Sequence, residues 1–351
     1  MKKIKVGIIG VGGISEVHIA GYLRNPNVEL YAFCDINEQR LKEKGEKYGI
    51  TRLFTDKNEM LKLKEIDAVS VCTWNCAHAE CTIAALKAGK HVLCEKPMAM
   101  NAEEAEAMQK AAEESGKLLE IGFVRRFGND CNIVKDFIDS GFFGDIYYAR
   151  AMYTRRHGCP GGWFSDKKRS GGGPLIDLGV HVIDLVRYLA GCPRPVSVYG
   201  VTFDKLGNRP DVKMAPGSWL AADAGNTSDV EDFATALIRF DNGFTVSIEA
   251  SFDQNLPGEG TINLLGTKAG ASLSPDLKMY TVMNGYLADV QLDMPTALGF
   301  EGLFEKEIDH FVDCIVNGTK CIAPAEDGVI LMKILTAIYE SARTGHEVLI
   351  K

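Results

Sequence analysis

Several features are missing from this 351-residue chain, and each absence narrows what it can be. No stretch approaches the ~18 uninterrupted apolar residues that a membrane-crossing helix needs. No block of like charge appears, and 39 Lys and Arg against 47 Asp and Glu leave a net charge of −8. That balance argues against nucleic acid or an anionic membrane as a partner. The ten cysteines are scattered and include no C-x-x-C, so paired-ligand zinc spacing is absent. Only Cys72…Cys76-Ala77-His78…Cys81 mixes soft ligands; its spacing reads as core packing, and no metal is expected. This cysteine usage suits a reducing compartment, and a cytoplasmic location is expected. The opening MKKIKVGIIGVGG has too short an apolar run for a signal peptide and reads as a first strand. No internal repeat or low-complexity segment appears.

What is present is an ordinary globular composition, 46% hydrophobic and 25% charged, long enough for two domains. Residues 1–122 alternate strand and helix, with strands expected at 3–9, 28–34, 67–72, 90–94 and 118–121 and helices at 14–24, 37–48, 76–88 and 102–116. Alternation at that spacing predicts a doubly wound parallel sheet. Beyond 122 the pattern changes. A helix near 131–140, a strand near 145–154, a polar loop at 155–172 and a helix at 174–190 come first. Strand-like runs follow at 195–203, 229–240, 243–253, 260–266 and 278–293, with a long loop at 205–227 and closing helices near 302–317 and 326–343. Asp241-Asn242-Gly243 is a hairpin turn signal. The division expected is an α/β domain at 1–122 and an α+β domain at 123–351 with a mostly antiparallel sheet.

Two motifs carry chemistry. The first is the strand Lys5 to Ile9 running into Gly10-Val11-Gly12-Gly13-Ile14-Ser15 and then a helix, the context a dinucleotide fingerprint requires. Gly10 allows the tight turn, and Gly12 lets backbone approach a pyrophosphate at the helix N-terminus. Gly13 and Ile14 complete the cradle, and Ser15 holds the third glycine position. A second strand ends in Asp35, where a ribose-binding acid belongs. Its charge favours NAD over the 2′-phosphate of NADP, while Arg40, one turn into the next helix, keeps NADP open. The end of the fourth strand reads Val71-Cys72-Thr73-Trp74-Asn75-Cys76-Ala77-His78. Thr73 and Asn75 can cap the next helix, and Thr73, Trp74, Asn75 and His78 lie where the nicotinamide half would pass. Glu95-Lys96-Pro97 ends the fifth strand, which places Lys96 beside the nicotinamide and makes Glu95 an expected cofactor contact with it. The 96–97 bond is a candidate for cis.

The second motif is SGGGPLIDLGVHVIDLVRYLAG at 170–191. Asp177, His181 and Asp184 are spaced to share one face of a mostly apolar helix. Buried charges there are costly unless paired or used, and a His beside a carboxylate is a natural general base. In the loop between 153 and 169, Tyr153 and Trp163 offer ring faces on which a ligand can stack, and His157 can bind a hydroxyl. Arg155, Arg156 and Arg169 either hold a substrate anion or form a solvated basic loop.

Taken together, GVGGIS, Asp35, the TWNCAH segment, EKP at 95–97, GFVRRF at 122–127 and GGGPLIDLGVHVID at 171–184 resemble the Gfo/Idh/MocA family of NAD(P)-dependent sugar and cyclitol dehydrogenases, over essentially the whole chain. The resemblance implies a Rossmann domain followed by a domain with a broad open sheet that forms homodimer or homotetramer contacts. It implies an active site lined by Lys96, Asp177 and His181. GFVRRF looks like a segment of inositol dehydrogenases, which points to Arg126 near the substrate. Many family members have a proline before the asparagine of the fourth-strand loop; here Trp74 stands there. The reaction implied is reversible hydride transfer between NAD and a secondary alcohol, with His181 as acid/base and Lys96 polarising the hydroxyl. Asp177 would bind a neighbouring hydroxyl or orient His181. Two other readings share the fold: a glycosidase that oxidises its sugar transiently and re-reduces it, and a non-catalytic NAD-binding regulator.

Overall fold

The computed structural model describes residues 3–207, 209, 212–213, 220–221, 223 and 228–351; much of the loop expected at 205–227 lies outside them. The chain divides into two compact units, 1–127 with 299–329 and 128–298 with 330–351.

The first unit carries a six-stranded parallel sheet of β1 (Ile4–Ile9), β2 (Val28–Cys34), β3 (Leu53–Phe54), β4 (Ala68–Val71), β5 (His91–Cys94) and β6 (Leu119–Ile121). Their order is β3-β2-β1-β4-β5-β6, so the direction of winding reverses between β1 and β4. In such a sheet the ligand crevice opens at the carboxyl ends beside that reversal. Gly10, Thr73 and Lys96 follow the ends of β1, β4 and β5. Two-residue β3 had no periodicity to announce it.

The expected boundary at 122 misses one element. Helix Phe300–Asn317 belongs to the first unit. Its apolar stripe supplies Ile308, Phe311 and Val312 to the core that Val6, Ile8, Ile19, Tyr22 and Phe33 build over β1. Gly21 of helix Ser15–Arg24 is the contact point: a Cβ there would lie 2.9 Å from Ile308 Cγ1. Helix Ala325–Thr344 is shared between the units at 329/330.

The second unit carries a nine-stranded sheet of β7 (Ile146–Thr154), β8 (Pro195–Phe203), β9 (Phe233–Phe240), β10 (Thr245–Ser251), β11 (Gly260–Gly266), β12 (Ala269–Ser274), β13 (Lys278–Met283), β14 (Tyr286–Val290) and β15 (Val348–Leu349). The order is β14-β13-β12-β11-β7-β10-β9-β8-β15, antiparallel except for the central β7–β10 pair. The long run read at 278–293 is a hairpin, because Asn284 and Gly285 take φ values of 51° and 84° and turn the chain. β12, with the composition AGASLS, is too weakly apolar to be read as a strand. Helix Val180–Leu189 packs on β7, β10 and β11.

Candidate functional site

The glycine turn after β1 separates two kinds of glycine. Gly10 sits at φ 88°, and a Cβ there would lie 2.7 Å from Cys72 O and 2.9 Å from Thr73 N at the end of β4. It is required by both conformation and space. At Gly12 and Gly13 a Cβ would meet no atom of the described residues within 4 Å. Their bareness serves no packing partner in the protein, as expected where backbone receives a pyrophosphate. Ser15 is wholly buried and its hydroxyl donates to Gly12 O at 2.7 Å, which closes the turn. Helix Ser15–Arg24 starts without a side-chain cap; Glu16 N donates to Gly13 O at 3.2 Å, and no side-chain cap competes with an anion for the other first N–H groups.

Asp35 is buried at the end of β2. Its Oδ2 accepts from Val11 N and its Oδ1 from Asn37 N, each at 2.8 Å. The carboxylate therefore holds the glycine turn in place. With about four lone-pair positions it keeps acceptor capacity for ribose hydroxyls. Arg40 lies 3.6 Å from Asp35 Oδ2.

The loops after β4 and β5 are tied together by His78. The imidazole is buried, with Nδ1 2.7 Å from Pro97 O and Nε2 3.2 Å from Thr73 O. Both ring nitrogens face backbone carbonyls, so His78 positions the loop that carries Lys96 and is not presented to a cofactor. Burial pushes its pKa down, partly offset by the bond to Pro97 O. The expected cap also differs: Trp74 is the N-cap residue, makes no side-chain cap bond and is 36% exposed, while Asn75 begins the helix. Thr73 Oγ1 donates to Trp74 O at 3.1 Å. Lys96 is half-buried between Glu95 and Pro97, which are buried, and the 96–97 bond is cis.

Glu95, expected as a cofactor contact, is instead buried and turned into an internal network that sequence reasoning did not find. Its Oε1 meets His18 Nε2 at 2.8 Å, His18 Nδ1 meets Ser70 Oγ at 3.2 Å, and Tyr22 Oη meets Ser70 Oγ at 2.7 Å. Burial pushes the Glu95 carboxyl up, but the bond to His18 and its charge outweigh this, with help from Lys96. The net effect holds Glu95 below the usual carboxylate range. Glu307 beside it is also buried, and both its oxygens lack a hydrogen-bond partner. Burial first, then the Glu95 charge, pushes Glu307 well up. The pair thus holds one negative charge rather than two. Its position, one residue before Lys96, makes this network a support for the lysine.

Arg126, expected near the substrate, is an internal strut instead. Its side chain is wholly buried, donates to Asp327 Oδ2 at 2.8 Å and to Ile322 O, and lies 5.0 Å from the Phe123 ring centre. Ile322 and Asp327 lie 196 and 201 residues further along the chain, beyond the reach of any local pattern.

In the second unit the 172–187 stretch is buried except at two positions, Asp177 and His181. Asp177 lies on a π-helical turn, Leu175–Gly179, which passes into helix Val180–Leu189 carrying His181. Single π turns inside helices recur at functional sites. Asp184 is 2% exposed, so the expected edge of three reduces to an accessible pair with a buried carboxylate behind. Glu231, also missed in the sequence, anchors this segment. Its carboxylate accepts from Gly173 N at 2.9 Å, Leu175 N at 3.2 Å and Tyr339 Oη at 2.8 Å. A Cβ at Gly172 would lie 2.0 Å from Tyr339 Oη, and one at Gly173 2.1 Å from Glu231 O.

The loop residues divide. His157 Nδ1 is bonded to Asp253 Oδ1, which is buried; this orients the ring and turns Nε2 to other uses. Burial raises the Asp253 carboxyl, partly offset by His157. Trp163 is half-buried with its ring centre 3.9 Å from that of Phe164. Tyr153 has the Arg155 guanidinium 5.5 Å from its ring centre, and Arg155 donates to Gly158 O. Arg169 is paired with Asp166 and Asp223, which answers its charge within the protein.

Comparison with known proteins places the chain among oxidoreductases. Residues 4–123 match the family described as an oxidoreductase family with an NAD-binding Rossmann fold, and residues 132–272 match the GFO/IDH/MocA C-terminal domain. A D-glucoside 3-dehydrogenase of Escherichia coli K12 is 36% identical over 349 residues, covering 98% of this chain and 97% of that protein. A myo-inositol 2-dehydrogenase of Thermotoga maritima is 28% identical and covers 93% of this chain and 92% of its own. Among solved structures, a levoglucosan dehydrogenase in complex with NADH superposes with a TM-score of 0.87 at 25% identity, covering 100% of both chains.

Proposed function

Because the chain belongs to the Gfo/Idh/MocA oxidoreductase family, an NAD-binding group, we propose that it oxidises a secondary alcohol of a pyranoside or cyclitol, reversibly, with Lys96, Asp177 and His181 at the reacting hydroxyl. The observation that carries this reading is the pair Asp177 and His181, the two accessible side chains of an otherwise buried segment. The likeness to a D-glucoside 3-dehydrogenase over nearly the whole chain favours a glycoside as the alcohol.

NAD supplies the hydride acceptor. The protein supplies placement and proton handling. The turn at Gly10 to Ile14 and the uncapped helix start hold the pyrophosphate, and Asp35 takes the ribose. The ammonium of Lys96 donates to the substrate oxygen and stabilises its developing negative charge. An imidazole nitrogen of His181 takes the hydroxyl proton. Asp177, one turn before it, accepts from a neighbouring hydroxyl and favours the imidazolium that results. Tyr153, His157 and Trp163 bind the rest of the sugar, and Asp184 supports the pair from behind. We assign the protein to the cytoplasm. We also assign it a homodimer or homotetramer built on the outer face of the second-unit sheet, where exposed Tyr199 and Leu237 stand opposite one another on β8 and β9.

A panel of alkyl glucosides, free hexoses and inositols, assayed with NAD by NADH absorbance, tests this. NADH should accumulate in step with ketone product for at least one glycoside or cyclitol. Aglycone release without net NADH would establish the redox-cycling glycosidase instead, and NAD binding without turnover on any compound would favour a regulator. Lys96→Met should lower turnover steeply while the melting temperature moves little. Turnover within about threefold of the parent, less than ~0.7 kcal/mol of barrier, would remove Lys96 from the chemistry.

A further inference from the structure

The first unit holds a second cluster of reactive side chains that the proposed hydride transfer does not use. Glu120 lies in the middle of β6. His310 and Cys314 lie one turn apart on helix Phe300–Asn317, so both point to the same side. The helix ends at Gly318, φ 72°, and the chain turns back to bring Cys321 to the same place. One donor atom from each of the four lies within 4.8 Å of the others. Cys321 Sγ donates to Glu120 Oε2 at 3.4 Å, and Cys314 Sγ lies 3.4 Å from His310 Nε2.

A second observation points to a ligand. Glu120 is wholly buried, and its Oε1 has no hydrogen-bond partner among the described residues. Orphaned buried polar atoms are rare and expensive, and a carboxylate oxygen is answered best by a cation. The other three donors are half-buried, so an ion can reach them. His310 Nε2 accepts from Ile322 N at 3.1 Å, so this nitrogen carries the lone pair a metal needs. The metal would take that lone pair in place of the amide.

We propose that Glu120, His310, Cys314 and Cys321 form a tetrahedral zinc site that pins the end of helix Phe300–Asn317 and the turn after it to β6. Two thiols, an imidazole and a carboxylate are the donors Zn²⁺ prefers, and four protein ligands with no open position make a structural site. Bond lengths of about 2.0–2.3 Å place tetrahedral ligands about 3.3–3.8 Å apart, so the four donors must close by about 1–1.5 Å at most. On binding, two Zn–S bonds, one Zn–N bond and one Zn–O bond form; the two thiol protons pass to solvent, with the carboxyl proton of Glu120 where burial, which pushes that group up to about 8, has kept it protonated, and nothing is oxidised or reduced.

The test uses the full chain, stripped with chelator, kept reduced and titrated with Zn²⁺ and separately with Co²⁺. Elemental analysis after gel filtration should give one zinc per chain. Co²⁺ should produce the strong visible bands of a tetrahedral site and a thiolate charge-transfer band in the near ultraviolet, and Zn²⁺ should erase both. Zinc should raise the melting temperature by about 4 °C or more. Cys314→Ser/Cys321→Ser should abolish these signals. Glu120→Gln, which keeps both thiols, should retain the charge-transfer band with affinity at least about tenfold weaker. Circular dichroism and NADH binding check that each variant is folded. The proposal fails if the cobalt spectrum is octahedral without a thiolate band. It fails equally if the double variant binds metal as the parent does, or if Cys314 and Cys321 are found as a disulfide and take up no metal once reduced.

Discussion

Both units open a helix with a run of glycines, and the two runs exist for opposite reasons. In the first, Cβ atoms at Gly12 and Gly13 would meet no atom of the described residues within 4 Å, so the space they leave is open, as the proposed pyrophosphate contact requires. In the second, Cβ atoms at Gly172 and Gly173 would collide with Tyr339 and with the Glu231 backbone, so the space they leave is already filled by the protein. The first run presents bare N–H groups to an anion. The second lets Glu231 reach Gly173 N and Leu175 N and so sets the start of the segment that presents Asp177 and His181. Glycine of the same spacing thus leaves open space in one place and admits a packed partner in the other.

Substitution can break this contrast, and the largest effect belongs to the side chain that the second run positions. His181→Ala should lower turnover by about 10²–10⁴-fold, the usual worth of general acid–base catalysis. NAD affinity should stay unchanged, because His181 is not in the cofactor-binding unit. Turnover near that of the parent would make His181 a packing residue only.

Next in size is a paired exchange of glycines. Gly173→Ala drives a methyl group into a backbone carbonyl and should cost about 1–3 kcal/mol of stability, read as a lower denaturation midpoint. Gly12→Ala should leave that midpoint in place and weaken NAD binding by about tenfold or more, ~1.4 kcal/mol, in a fluorescence titration. A destabilised Gly12→Ala with intact NAD affinity would erase the distinction between the two runs.

The smallest effect concerns the network behind Lys96. Burial and the Glu95 charge raise Glu307 in the folded protein, so Glu307 favours folding while protonated. That contribution is present below the ordinary carboxylate value near 4.3 and is lost as pH rises toward the raised folded value. Glu307→Gln removes the titration. Its melting temperature should therefore fall less than the parent's as pH is raised through that interval. Parallel melting curves against pH would show that Glu307 carries no such penalty.

Much of this protein can be read along the chain. The turn at Gly10, the alternation through residue 122, Asp35 at a strand end and the D-x-x-x-H spacing at 177–181 are local patterns, because neighbours in sequence are neighbours on one strand, turn or helix face. Where expectation and structure part, the partner is distant in sequence. Arg126 reads as a substrate ligand until Asp327 and Ile322 bury it. His78 reads as a cofactor contact until Pro97 O takes its Nδ1. Helix Phe300–Asn317 reads as part of the second domain until Ile308 and Phe311 are found in the core over β1.

By itself, then, the sequence determined the fold class, the NAD-binding character of the first unit and the candidates for the site's side chains. All of these depend on period, spacing and residue chemistry within one element. Tertiary structure alone decided which of those side chains keep access to solvent, which are consumed by internal partners, and which distant donors meet at Glu120. Burial and pairing arise only when elements far apart in the chain pack together, and no local pattern encodes their arrival.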